Sequence, residues 1–94
     1  METKIQLLHP EGKNAFKIDA GKYEVMSNAI SHCLIKQTLT HKEMLEAINA
    51  YFKKTKIEFY GSVEWYMESV KLDLEARKIV KRIKEGAKLK FQLK

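Results

Sequence analysis

From Val63 to Ala76 the chain alternates apolar and charged side chains at helical spacing. Placed at about 100° per residue, Val63, Tyr66, Met67, Val70 and Leu74 fall on one stripe and Glu64, Glu68, Lys71 and Glu75 on another. The first stripe is expected in the core and the second in water. Trp65, Leu72 and Ala76 form a further apolar edge on the far side, so the helix is expected to lodge between neighbours. Ser62, after the flexible Gly61, is the predicted N-cap, because its hydroxyl can accept an amide proton of the first turn.

From Ile79 the period shortens to two, which predicts a β-hairpin. Ile79 and Ile83 share one face of its first strand, Leu89, Phe91 and Leu93 one face of its second, and the turn lies around Glu85, Gly86 and Ala87. Aligning the apolar faces sets Ile83 opposite Leu89 and Ile79 opposite Leu93. On the other face Arg82 then stands opposite Lys90 and Lys84 opposite Lys88. Four cations would share one exposed surface, with Lys81 snorkelling out from the apolar side. Like charges directly opposite repel, so long side chains splay into water or an anionic partner neutralises them.

Upstream, Lys4 to Leu8 reads as a short strand with Ile5 and Leu7 on one face, followed by a loop through His9, Pro10, Glu11 and Gly12. The pattern does not supply its pairing partner. Ala15 to Ile18 is a second extended candidate, and Asp19 is placed to cap a helix ending near Lys36, with Met26, Ile30, Cys33 and Leu34 inward and Val25 and Ala29 beside them. Thr40 and Glu43 have the spacing of a capping box, and Leu39 and Met44 that of a hydrophobic staple, so a second helix is predicted from His41. Met44, Leu45, Ile48, Tyr51 and Phe52 make its buried stripe, and it should fray near Lys53 and Lys54. Ile57 to Tyr60 then run extended into Gly61.

The predicted fold class is α+β, in the order of a winged helix-turn-helix: three helices, a C-terminal β-hairpin wing and a short N-terminal strand. One domain spans residues 1–94, with an extended arm over 1–18, a three-helix core over 19–77 and the basic wing over 78–94. In that architecture the third helix is the usual groove reader and the wing lies on the phosphate backbone.

Charge sharpens this picture. Residues 1–76 carry ten lysines against eleven acidic residues, a net of −1, whereas residues 77–94 carry eight Lys or Arg against Glu85 alone, a net of +7. The whole excess of +6 therefore sits in the wing, the electrostatic footprint of a polyanion binder. With 45% apolar residues in 94, the chain can bury a core without staples. A single cysteine forms no internal disulfide, and no apolar run approaches a membrane span or signal segment, so a soluble cytoplasmic protein is expected.

Three stretches carry a resemblance. Lys4-Ile5-Gln6-Leu7-Leu8-His9-Pro10-Glu11-Gly12-Lys13-Asn14-Ala15, Lys22-Tyr23, and Gly61-Ser62-Val63-Glu64-Trp65-Tyr66 continuing through Val70 to Arg77 resemble a family of small bacterial proteins of about this length, functionally uncharacterised. The resemblance implies a winged-helix-like fold with no agreed activity, and it transfers no functional residue. Lys78 stands where glycine often ends the third helix, so a left-handed cap there would cost something.

Candidate chemistry is sparse. Cys33 faces inward and reads as a small buried hydrophobe, and His9, His32 and His41 have no metal-ligand spacing with it, so no metal or cofactor is expected. Trp65, Tyr66, Tyr51, Phe52 and Phe59 could stack on bases, but their helical spacing assigns them to the core. There is no Gly-rich phosphate loop, nucleophile elbow or paired Cys motif, and spacing supplies no partner for Asp19, Asp73 or Glu58, so an enzyme is not expected. The expected activity is binding of duplex DNA, as a monomer or homodimer. Its candidate contacts are Arg82, Lys84, Lys88 and Lys90 of the wing, Lys53, Lys54 and Lys56 after the second helix, and Lys71 of the third. Against it stands the carboxylate-rich stripe of the third helix, which repels phosphate. That stripe supports the alternative, a protein-interaction or assembly module whose acidic face meets a basic partner.

Overall fold

The computed structural model describes residues 3–12 and 16–94. The arm is a small antiparallel ladder of β1 (Lys4–Gln6) and β2 (Lys17–Asp19), with Ile5 opposite Ile18, so β1 finds its partner within the chain. Of the second extended candidate, Ala15 lies outside the described residues. Leu7 follows β1 into the core, and its amide donates to the Phe16 carbonyl at 3.0 Å.

Helix α1 (Ala20–Leu34) starts where its cap predicts, the Asp19 carboxylate accepting from the Lys22 amide at 3.0 Å. Met26, Ala29, Ile30, Cys33 and Leu34 are buried, as their spacing requires. A two-residue strand, β3 (Leu39–Thr40), leads into α2 (His41–Thr55) through a complete capping box: Glu43 N–H donates to Thr40 Oγ1 at 3.2 Å, and Thr40 N–H to Glu43 Oε1 at 2.9 Å. Helix α3 (Val63–Ala76) is capped by Ser62, whose Oγ accepts from the Trp65 amide at 3.1 Å.

Three lysines near helix ends lie in the left-handed region: Lys36 at φ 67°, one residue past the extended Ile35 that ends α1, and Lys56 at φ 59° and Lys78 at φ 64°, which end α2 and α3. At the last two the bonding is that of a Schellman motif. Ile57 N–H donates to the Phe52 carbonyl and Lys56 N–H to that of Lys53; Ile79 N–H donates to that of Leu74 and Lys78 N–H to that of Glu75. Lysine holds the place that glycine usually takes, at a backbone cost offset in part by a cation at the helix C-terminus.

The wing is a hairpin of β4 (Val80–Glu85) and β5 (Lys88–Leu93), but its register is one residue from that predicted. The loop is two residues, Gly86 and Ala87, with Gly86 at φ 62° supplying the positive φ such a loop needs. Shortening the turn by one residue turns the other face of β4 to the core. Val80 therefore lies opposite Leu93 and is 2% exposed, while Ile79, predicted to face inward, is 44% exposed. Arg82 faces Phe91, Lys84 faces Leu89, Ile83 faces Lys90 and Lys81 faces Gln92. The predicted pairs of opposed cations do not form, and Lys81 lies on the outer face with no need to snorkel. Strand β5 is central, because β3 pairs with its other edge, Leu39 opposite Phe91 and Thr40 opposite Lys90.

The core forms where α1 packs on both α2 and α3 and where the sheet closes over them, with Met26, Ile30, Met44, Ile48, Met67, Val70, Leu74, Val80 and Phe91 buried together. Among the described residues the architecture is α+β: three helices and two small antiparallel sheets, ending in a hairpin.

Candidate functional site

The eight predicted contact residues divide into two groups. Arg82 is turned onto α3 while remaining partly open to water: its Nε donates to Glu75 Oε1 at 2.8 Å and a terminal nitrogen to Oε2 at 3.2 Å, a bidentate pair. The hydrogen bond donated to this carboxylate is the main reason that the guanidinium pKa is raised above its ordinary value. Lys90 pairs with Glu85 at 3.2 Å. Lys84 and Lys88, next to the turn, are exposed and have no ion-pair partner among the described residues. Lys53, Lys54 and Lys56 are likewise exposed and unpaired.

Lys71 cannot serve as predicted. It is 2% exposed, its Nζ donates to Glu68 Oε2 at 2.9 Å, and the same ammonium stands 3.9 Å from the centroid of the Phe91 ring. The reason lies in the surroundings of α3. Part of its polar stripe is covered by the wing and the rest is touched by the first turn of α2: Glu75 is held by Arg82, while Glu64 and Glu68, still open to water, lie 3.1 Å from His41 Nε2 and 3.0 Å from its Nδ1. The acidic face expected to repel phosphate, or to attract a basic partner, is thus partly engaged within the molecule, Glu75 by Arg82 and Glu68 by Lys71. From Tyr66 to Ala76 no residue of α3 is exposed.

One centre escaped the sequence reading. The Asp73 carboxylate is fully buried and accepts from the Leu8 amide at 2.8 Å, the Tyr23 hydroxyl at 2.6 Å and Arg77 Nε at 2.9 Å, tying the arm and α1 to α3. Burial, and then the bond to Asp73, push the Tyr23 phenol up to about 12; the bond to Asp73 raises the Arg77 pKa. The signal available was an acid between Leu72 and Leu74 with Arg77 four residues on. Asp19 is taken up as the α1 cap, and Glu58 accepts from the Tyr60 hydroxyl at 2.9 Å.

The aromatic residues form a connected row, Phe52 stacked on Phe59, Phe59 edge-on to Tyr66 and Tyr66 to Trp65. Phe52 is core, but Trp65 is 41% exposed and touches Phe16, which is 67% exposed, with ring centroids 5.6 Å apart. Burial pushes the Cys33 thiol up to about 11, which suits packing and not nucleophilic work. An open concavity of about 590 Å³ lies between His9–Glu11, Leu72 and Val80, but its Arg82 and Glu75 are spent on each other. Among the described residues no three His, Cys, Asp or Glu side chains converge as metal ligands, and no described helix is long and apolar enough to cross a membrane.

Comparison with curated proteins returned no match, nor did comparison with solved structures. A family model does match, over residues 4–91, nearly the whole chain. The chain belongs to that family, the family of unknown function DUF6958.

Proposed function

We propose that this protein is a non-enzymatic, winged-helix binder of nucleic acid, which holds duplex DNA mainly by phosphate contacts from its hairpin. The observation that carries the proposal is where the positive charge remains once the internal pairs are formed. Of the acids of α3, Glu68, Asp73 and Glu75 are paired with Lys71, Arg77 and Arg82, whereas Lys78, Lys81, Lys84, Lys88 and Lys94 of the C-terminal segment keep no ion-pair partner among the described residues. Five such cations, Lys84 on one face of the hairpin and Lys81 and Lys88 on the other among them, and the exposed Lys53, Lys54 and Lys56, are charges that a polyanion can neutralise and an internal acid does not.

The test is a titration of labelled duplex DNA, single-stranded DNA and RNA at two salt concentrations. The expected result is preferential binding to the duplex with a log–log salt slope of about −4 to −5, corresponding to about five phosphate contacts. Absence of binding to the duplex at low salt would overturn the proposal. A protein-interaction module is the second reading, favoured by the exposed Phe16–Trp65 pair. It predicts a protein partner that survives nuclease treatment and is lost on Trp65→Ser.

A further inference from the structure

We infer that α2, and not α3, is the helix presented to the duplex, with Glu46 and Asn49 as the side chains that read bases. This rests on the nucleic-acid reading and adds to it which element enters the groove. A helix reads a groove with side chains that project freely from it toward the base edges. Helix α3 has none beyond its first turn, where only Glu64 and Trp65 are exposed, and Glu64 is engaged by His41.

Helix α2 is different. Apart from the terminal Thr55, its exposed positions, Lys42 and Glu43, Glu46, Asn49 and Ala50, Lys53 and Lys54, recur at the helical period and make one uninterrupted stripe along the element. Glu43 is committed to the capping box. Glu46 and Asn49, one turn apart in the middle of the stripe, have no hydrogen-bond partner among the described residues. Their chemistry suits base edges: an asparagine amide can donate and accept to the two major-groove positions of adenine, and a glutamate can accept from the cytosine amine. Ala50 beside them allows close approach. Lys42 at one end, and Lys53, Lys54 and Lys56 at the other, are placed for the flanking phosphates.

The stripe is also continuous with the wing. Thr40, the cap of α2, pairs with Lys90 of β5, and Lys88 and Lys90 lie close enough to Glu43 to help lower its pKa, after the Thr40 backbone amide. The helix and the cationic hairpin therefore share one surface. The exposed stripe of α1, by contrast, is Gly21, Glu24, Asn28 and His32, with no lysine.

The test starts with selection of bound sequences from a random duplex library by the wild-type protein. Affinities are then measured for the selected and a random duplex, with Asn49→Ala, Glu46→Ala, the control Asn28→Ala and the wing variant Lys84→Ala/Lys88→Ala. Asn49→Ala and Glu46→Ala should each lower the selected-to-random ratio by about tenfold. Their affinity for the random duplex should hold, which also reports an intact fold. The wing variant should weaken both duplexes alike, and Asn28→Ala neither. A wild-type protein that binds duplexes but selects no sequence overturns the inference and leaves the wing proposal standing. So does an unchanged ratio in both α2 variants. A wild-type protein that binds no duplex overturns both.

Discussion

Two charged surfaces, the polar stripe of α3 and the cation row of the hairpin, read alike in the sequence, and the fold treats them in opposite ways. In the stripe Lys71 and Glu75 are drawn inward against Phe91 and Arg82, while Glu64 and Glu68 stay at the surface beside His41. The hairpin gives up Arg82 and Lys90 to carboxylates of the same molecule and leaves Lys81, Lys84 and Lys88 outside. Periodicity tells which residues share a face. Whether that face meets water depends on what packs over it, and that is set by distant parts of the chain. Charges turned inward should therefore govern stability, and charges left outside should govern binding.

The largest expected effect is at the innermost charge. Asp73→Ala leaves the Tyr23 hydroxyl, the Leu8 amide and Arg77 without their acceptor, and should cost about 3 kcal/mol or more by denaturant unfolding. A loss under about 1 kcal/mol would mean that the centre is not structural. Next is Lys71, where two replacements separate packing from charge. Lys71→Ala opens space beside Phe91 and strands part of Glu68, for a loss of about 2 kcal/mol. Lys71→Met keeps the volume and should be close to neutral. Equal losses from the two would show that the ammonium over the Phe91 ring, and not the packed stem, holds α3 to the wing.

A smaller effect of opposite sign is expected at the helix ends. Lys78→Gly relieves a left-handed lysine and should stabilise by about 1 kcal/mol, raising the melting temperature by about 4–8 °C. A fall in melting temperature would assign the Lys78 side chain a contact that outweighs the strain. The smallest effect is in pH dependence. The Tyr23 phenol titrates near 10 in the unfolded chain and is pushed up to about 12 in the fold, so the fold favours its neutral form. Its contribution is complete below pH 10 and is lost as pH rises from about 10 to about 12. Tyr23→Phe should be less sensitive than wild type across that window, and identical pH profiles would contradict the assignment.

Much of the local structure was legible because it depends on neighbours in sequence. Asp19, Thr40 and Ser62 each cap the predicted helix, and the buried stripes of α1 and α2 follow from spacing alone. The errors lie where distance matters. A loop of two residues, with Gly86 at positive φ, cannot be told from one of three when Ile79, Val80 and Ile83 are all apolar, and the one-residue difference moved Arg82 from the outer surface onto Glu75. The β3 strand pairs residues about fifty positions apart and has no periodic signal in two residues. Burial of Lys71 required knowing that Phe91 would lie beside it. The α2 stripe was visible as the complement of its buried face, but its significance emerged only once α3 proved to be covered.

The most direct measurement is the anisotropy of a labelled duplex titrated with wild-type protein and with Lys84→Glu/Lys88→Glu, at about 50 and about 200 mM salt. Wild type should bind at the lower salt and weaken by about three orders of magnitude at the higher, while the double variant, unfolding at the same denaturant concentration as wild type, should lose most of its low-salt affinity. Equal affinity of the two proteins, or binding indifferent to salt, would contradict the claim that the hairpin's unpaired cations hold a polyanion.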